Sequence, residues 1–272
     1  MQTSPCQGSG SEAEAGTSPS SARIWDHWLG GGHNLAVDRG KGDRLAAEHP
    51  GLVERVRGTR EFVRRAVSRL VADEGIRQFL DIGSGLPTAG STHEIARRTA
   101  PGTRVVYVDN DPRTVHHAGT ILTPASESVT CLLGDLREPG AVLAAAARTL
   151  DLSCPVGLVL GGVLGHVPTH EEACDIVRRL MSALPRGSHL VAVDVSDTDG
   201  NWRAVQARRN ATTSFPYRLR TPGEIAEYFD GLDVLAPGVV PVTDWLRAPH
   251  RVPRAEPADL AADVVGGIGR KP

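Results

Sequence analysis

From about residue 52 onward the apolar positions follow two alternating rhythms. Residues 52, 53, 56, 63, 66, 67, 70 and 71 are apolar with Arg and Glu between them, which turns one face of a long helix inward. Short β-branched and aliphatic runs then recur at 79–82, 104–108, 129–133, 156–160 and 190–195. Helical patterns separate them: one opened by Ser91-Thr92-His93-Glu94 and reaching about residue 99, one around His116, and others at 138–150, 170–184, 199–210 and 221–230. Strands alternating with helices at this spacing make βαβ crossovers, hence a parallel sheet covered on both faces. The end differs. Residues 232–235, 239–242 and 263–269 read as strands joined by turns and a loop carrying Pro249, Pro253 and Pro257, so an antiparallel edge is expected.

Two segments precede this pattern. Residues 1–20 are Ser, Gly, Glu, Thr and Pro, too polar to offset the entropy of ordering, and read as a disordered tail. Residues 21–75 form a helical cap: apolar residues at 24, 25, 28 and 29 fit a short helix that Gly30, Gly31 and Gly32 stop, and the long helix follows. Residues 76–272 are the α/β domain.

Of the 272 residues 40% are hydrophobic, and the formal net charge is −2. That balance gives no basic footprint for nucleic acid or an anionic membrane surface. The longest apolar run, 156–165, is too short to span a bilayer, and the first twenty residues hold no Lys or Arg and no apolar block. Cys6, Cys131, Cys154 and Cys174 are scattered without a C-x-x-C pair, so they are expected to be reduced and mostly buried thiols in a cytoplasmic protein. No metal is assigned.

In a doubly wound sheet, ligands bind beyond the carboxyl ends of the strands. Asp81, Asp109 and Asp135 stand at three such ends. After Asp81 the chain runs Ile82-Gly83-Ser84-Gly85-Leu86-Pro87-Thr88. A dinucleotide loop would need a third glycine at position 88, and a phosphate-cradling loop would need a lysine, so neither a nicotinamide reductase nor a P-loop enzyme fits. Two glycines still let the backbone approach a ligand closely. A carboxylate at Asp109 can accept both hydroxyls of a ribose, and the acidic rim suits a nucleoside carrying positive charge. S-adenosylmethionine is such a ligand.

With these residues in place, the chain resembles the actinobacterial S-adenosylmethionine-dependent methyltransferase family. The matching segments are Ala22-Arg23-Ile24-Trp25-Asp26-His27-Trp28-Leu29-Gly30-Gly31-Gly32-His33-Asn34 with Val37-Asp38-Arg39, then 79–88 and 106–112. Gly134-Asp135-Leu136-Arg137 and the ending Gly266-Gly267-Ile268-Gly269-Arg270-Lys271-Pro272 complete them. The resemblance implies a Rossmann-like class I methyltransferase fold, a seven-stranded sheet whose last strand runs antiparallel. It implies that Asp81, Gly83, Ser84 and Gly85 face the methionine end of the cofactor and that Asp109 holds the ribose, with Asn110 near the adenine. It further implies that Asp135 and Leu136 border the adenine and that Gly161 and Gly162 lie where the methyl group is delivered. The segment Leu160-Gly161-Gly162-Val163-Leu164-Gly165-His166-Val167-Pro168 departs from the more apolar or histidine-paired family pattern.

No aromatic residue occurs between Tyr107 and Trp202, so aliphatic side chains fill the sheet core. Trp25 and Trp28 near one end, and Trp202, Phe215 and Tyr217 near the other, are expected to form the lid and acceptor pocket for a small organic molecule. Arg23 is placed to pair the cofactor carboxylate, and Asn34 to hydrogen-bond near the methionine moiety. His166 is the candidate general base, with His93 and His33 as lesser ones. Two other readings stay open: non-methyl chemistry at the same sulfonium (cyclisation or alkyl transfer), and a non-catalytic protein that binds the cofactor. Asp109→Ala is expected to weaken cofactor binding by about 1–3 kcal/mol with the fold intact. Calorimetric titration checks this, and an unchanged affinity would move the site elsewhere.

Overall fold

Each strand run is apolar on both faces, and the chain accordingly sandwiches it between helices. The computed structural model describes residues 18–87, 90–122, 128–211, 216–247 and 262–272. The tail up to residue 17, Thr88, Phe215, Pro249, Pro253 and Pro257 lie outside the described residues. Five strands pair in parallel in the order β3-β2-β1-β4-β5: β1 (Gln78–Ile82), β2 (Arg104–Asp109), β3 (Val129–Leu133), β4 (Gly157–Gly161) and β5 (His189–Val195). Two short strands, β6 (Asp233–Val234) and β7 (Val240–Pro241), pair with β8 (Val264–Arg270), which runs antiparallel to β5. The expected antiparallel last strand is therefore present. Among the described residues the sheet has eight strands where the resemblance implies seven, with Pro237 and Gly238 (φ +111°) between the two short strands that precede β8.

Side-chain parity divides the core. Even-numbered residues of β1, β2, β4 and β5, among them Leu80, Val106, Leu158 and Leu190, pack with α6 (Pro139–Ala146), α7 (His170–Ala183) and α9 (Pro222–Glu227). Odd-numbered residues, among them Phe79, Val105, Tyr107, Val159 and Val191, pack with α3 (Leu52–Ala72), α4 (Thr92–Thr99) and α10 (Val242–Arg247). Period-two alternation with both sets apolar is what a fully covered parallel strand requires. Two further helices complete the crossovers, α5 (Pro112–Leu122) against β2 and β3, and α8 (Gly200–Asn210) after β5.

Ahead of the sheet stand α1 (Ser21–Trp28) and α2 (Ala36–Glu48). Ile24 and Trp28 of α1 join Leu52 and Val56 of α3 and Trp202 of α8 in a third apolar cluster. The hydrophobic pattern does not announce α2, and its docking explains why. It is fixed by Asp38, a fully buried carboxylate that takes hydrogen bonds from Arg23 Nε (2.7 Å), Ser20 N (2.9 Å) and Leu35 N (2.8 Å). Burial opposes the Asp38 charge, but these three donors outweigh it and hold the carboxyl below the ordinary range. Gly42 supplies the close approach: a Cβ there would stand 3.2 Å from the His27 and Trp28 rings.

At the start of α4, Ser91 occupies the N-cap position, but its hydroxyl faces His93 Nδ1 at 3.0 Å instead of capping the helix. Glu94 accepts from the amide of Gly90 (2.8 Å), one residue beyond the Ser91 amide that the expected capping box would use. The thiols of Cys131 and Cys174 are half-buried, while Cys154 is exposed, more open than the sequence implied; none is paired with another.

Arg220 closes the corner after β5. Fully buried, its guanidinium donates to the carbonyls of Leu164 (2.8 Å), Val167 (2.9 Å) and Thr169 (2.9 Å). Arg220→Met is expected to cost about 3 kcal/mol through carbonyls left without donors. The check is urea unfolding, where the midpoint falls at an unchanged slope.

Candidate functional site

The strand order reverses direction between β1 and β4, and the chain leaves both strands on left-handed glycines. Gly83 (φ +73°) and Ser84 donate their amides to the carbonyl of Val108, at 2.8 and 3.3 Å, which ties the turn after β1 to the end of β2. A Cβ at Gly83 would overlap the side chain of Val163, so the turn after β1 and the loop after β4 interlock at that point. Gly162 (φ +76°) donates to the carbonyl of Val193 at 2.7 Å, anchoring the second loop on β5. Side-chain-bearing residues pay a steric cost at such φ values. The resulting crevice is the topological switch point where ligands of this sheet class bind.

Carboxylates ring the crevice. Asp109 accepts from the amides of Gly85 and Asp111, both at 3.0 Å, and burial raises its pKa. Asp81 lies deeper, accepting from Thr92 Oγ1 at 2.6 Å. Burial pushes its carboxyl up to about 6, Thr92 and Arg60 pull the other way, and Asp109 adds to the rise. Next to it Tyr107 Oη meets the amide and the ring of His93, both at 2.9 Å, so His93 is tied into the sheet. Asp135 is gripped by Arg137 through both carboxylate oxygens, and this pair holds its pKa low. Leu136 is buried beside it, whereas Asn110 and Leu133 are exposed at the ends of β2 and β3.

The amino-terminal helices border the same crevice. A Cβ at Gly85 would stand 3.7 Å from Ala22, and one at Gly162 would stand 3.7 Å from both Trp25 and Thr59. Gly161 faces Val63 of α3 in the same way, at 3.2 Å. Arg23 is engaged by Asp38 and by the carbonyl of Ser18 (2.8 Å). Asn34 donates to Asp26 Oδ2 (2.7 Å) and to the carbonyl of Gly31 (2.8 Å), so it shapes the glycine turn after α1. Asp26 is buried and its second oxygen has no hydrogen-bond partner; it presses on Gly31, where a Cβ would collide with it. Trp28 and Trp202 are buried in the third cluster, with Arg55 stacked 4.0 Å above the Trp202 ring. His33 packs edge-on to His117 at 5.8 Å.

Beyond β4, Tyr217 fills the space that Gly165 leaves empty. Its hydroxyl donates to Asp194 Oδ1 at 2.8 Å, and Tyr228 reaches Asp194 Oδ2 at 3.4 Å. Burial raises the Asp194 carboxyl to about 6 against the pull of Tyr217 and Arg220. His166 ends the 3-10 turn Leu164–His166 and packs edge-on to Tyr217 at 5.1 Å. Its Nδ1 lies 3.0 Å from the carbonyl of Pro216. A carbonyl only accepts, so Nδ1 carries the proton and Nε2 is left as a lone-pair base. Loss of hydration lowers the His166 pKa, which favours this neutral form.

The sequence profile of the S-adenosyl methyltransferase family matches residues 10–272. The chain belongs to that family. Among solved structures, a duf574 family protein of Streptomyces avermitilis is 37% identical, with a TM-score of 0.82 over 94% of this chain and 99% of that one. A candidate methyltransferase of Thermobifida fusca is 33% identical, with a TM-score of 0.81 over 93% of this chain and 95% of the other. The N-methyltransferase NodS of Bradyrhizobium japonicum, solved with S-adenosyl-L-homocysteine, shares the fold at 15% identity and a TM-score of 0.50, covering 92% of this chain and 99% of that one. Comparison with curated proteins returned no match.

The protein is thus a methyltransferase whose cofactor is S-adenosylmethionine, on a class I fold. The crevice suits that cofactor chemically: the carboxylates of Asp81 and Asp109 are acceptors of the kind that ammonium and hydroxyl groups require. Among the described residues no helix is long and apolar enough to cross a membrane.

The structure adds residues that the sequence reading passed over. Arg60 of α3 has no ion-pair partner among the described residues, and its charge is felt at both Asp81 and Tyr107. It is one of six arginines on that helix, with Arg55, Arg57, Arg64, Arg65 and Arg69, and spacing alone does not single it out. Arg60→Gln is expected to raise the Asp81 pKa above about 6, and Asp109→Asn to lower it. Carboxyl-carbon NMR titration of the cofactor-free methyltransferase reads both shifts.

Proposed function

We propose that this methyltransferase transfers the methyl group of S-adenosylmethionine to a small organic acceptor by in-line displacement, with the acceptor site beyond the carboxyl end of β4. The observation that carries this reading is the pair of glycines there, Gly162 and Gly165, walled by Trp25 and Tyr217. Apolar walls with a few polar groups favour a small molecule. The near-balanced charge, net −2, offers no attraction to a polyanionic acceptor.

In this reading Asp81 takes the ammonium of the cofactor and Arg60 its carboxylate, because Arg23 is held by Asp38. Asp109 accepts from the ribose hydroxyls, while Asn110, Asp135 and Leu136 border the adenine. Gly83, Ser84, Gly85 and Gly161 give the backbone its close approach, and Asn34 acts through the turn it stabilises. The cofactor supplies a methyl group made electrophilic by its positive sulfur. Alignment of the acceptor with that methyl contributes roughly 7–11 kcal/mol, so a base assists and is not obligatory. His166 Nε2 receives the proton of an acceptor hydroxyl or ammonium. Trp28 and Trp202 stand behind Trp25 and fix α1 as a lid over the crevice. The protein works in the cytoplasm.

The test is calorimetric titration with S-adenosylmethionine, S-adenosylhomocysteine and NAD in parallel, followed by product mass analysis with small-molecule pools. Micromolar binding of the first two and none of the third is expected, then acceptors heavier by one methyl group. His166→Gln should lower turnover by about 10²-fold or more while cofactor affinity stays unchanged. Cyclised or longer-alkyl products, or methyl transfer confined to RNA or protein, would overturn the reading.

A further inference from the structure

Away from the crevice, three side chains of metal-binding type converge at the outer corner between α7 and α9. His170 is the first residue of α7 and Cys174 stands four residues on, so both lie on one face of the helix. Thr169 caps this helix by accepting from the amide of Glu172 at 3.1 Å, which fixes where His170 points out. Glu227 arrives from the last position of α9, 57 residues beyond His170. His170 Nε2 lies 2.7 Å from Glu227 Oε2 and 3.4 Å from Cys174 Sγ, and the three donor atoms all fall within 4.8 Å of one another.

We propose that His170, Cys174 and Glu227 form a binding site for one divalent ion of the zinc class. Bonds of about 2.0–2.3 Å to nitrogen, sulfur and oxygen set donor separations of about 3.5 Å in a tetrahedron. The Sγ to Nε2 distance already matches, and the Glu227 carboxylate needs to withdraw by less than 1 Å. It is free to do so, because Glu227 is 57% exposed while His170 is only 13% exposed. A mixed nitrogen, sulfur and oxygen set selects zinc, cobalt or a similar ion over magnesium and calcium, which take oxygen alone. With three protein donors the fourth position falls to water on the solvent side. On binding, the Cys174 thiol gives its proton to solvent, the His170 proton moves from Nε2 to Nδ1 by exchange with solvent, and the His170–Glu227 hydrogen bond is replaced by two bonds to the ion. Thiolate and carboxylate then balance the two positive charges.

The location says what the ion does. Arg220 gathers the carbonyls of Leu164, Val167 and Thr169 at this same corner, and the chain that carries Tyr217 runs directly into α9. An ion joining α7 to α9 braces the loop of His166 from behind, so the site is structural and does not depend on which acceptor is used.

The experiment uses untagged full-length protein and cobalt as the probe. Wild type is expected to take up one equivalent with a thiolate-to-cobalt charge-transfer band, which zinc then abolishes by displacement. Zinc should also raise the unfolding temperature. Cys174→Ser should lose the band, whereas Cys131→Ser and Cys154→Ser keep it. His170→Gln and Glu227→Gln should each weaken cobalt binding at least about tenfold, the loss that even outer partners of a metal ligand cause. These two variants decide the matter if Cys174→Ser fails to fold. Absence of the band in wild type, its survival in Cys174→Ser, or unchanged affinity in both other variants would overturn the proposal.

Discussion

The contact between Gly83 and Val163 governs the working end of the molecule. One residue sits in the turn that leaves β1, the other in the loop that leaves β4, and no side chain fits at the first without displacing the second. Since the switch point of the sheet lies between these two strands, this contact sets how the loops after β1 and β4 face each other. The amides of Gly83 and Ser84 on Val108 and that of Gly162 on Val193 then lock each loop to its own neighbouring strand. The ends of four strands are thereby tied together by three backbone hydrogen bonds and one side-chain contact.

A second layer of constraint is electrostatic. Asp81, Asp109 and Asp194 are all carboxylates whose charge burial disfavours. A buried charge is tolerable only when donors surround it, and the donors differ. Asp194 is satisfied internally by two tyrosine hydroxyls and has no need of a ligand. Asp81 has one side-chain donor, Thr92, with the arginine of α3 nearby. This difference separates a carboxylate that holds the fold from one with capacity to meet an incoming cation.

The βαβ frame was legible because alternation in β1 to β5 is apolar at both parities, a pattern that permits only a covered parallel sheet. The glycine turn was legible for a similar reason: Gly83 and Gly85 stand at a strand end, and their positive φ values account for their identity. Other features were hidden. The helix containing Asp38 is docked by one buried carboxylate and one glycine, and neither leaves a periodic trace. Arg60 is concealed among five other arginines of its helix, and only the fold distinguishes it. Arg23 and Asp38 were both visible in the amino-terminal motif, but their partnership spans a turn whose course periodicity does not encode. Likewise Glu227 meets His170 only because two helices that are distant in sequence end at one corner.

The placement of the tryptophans has an optical consequence. Of the four, Trp25, Trp28 and Trp202 gather where the amino-terminal helices meet α8, beside the crevice. Trp245 lies apart from them, buried edge-on to Phe62 of α3, with its indole nitrogen donating to the carbonyls of Gly238 and Gly266. Intrinsic fluorescence is therefore weighted toward the packing of the amino-terminal helices, with a single emitter in the core beside it. The Arg55 guanidinium over the Trp202 ring makes that emission sensitive to any change in stacking. The molecule carries its own reporter, and a change in the packing of the amino-terminal helices becomes readable from emitted light without an added dye.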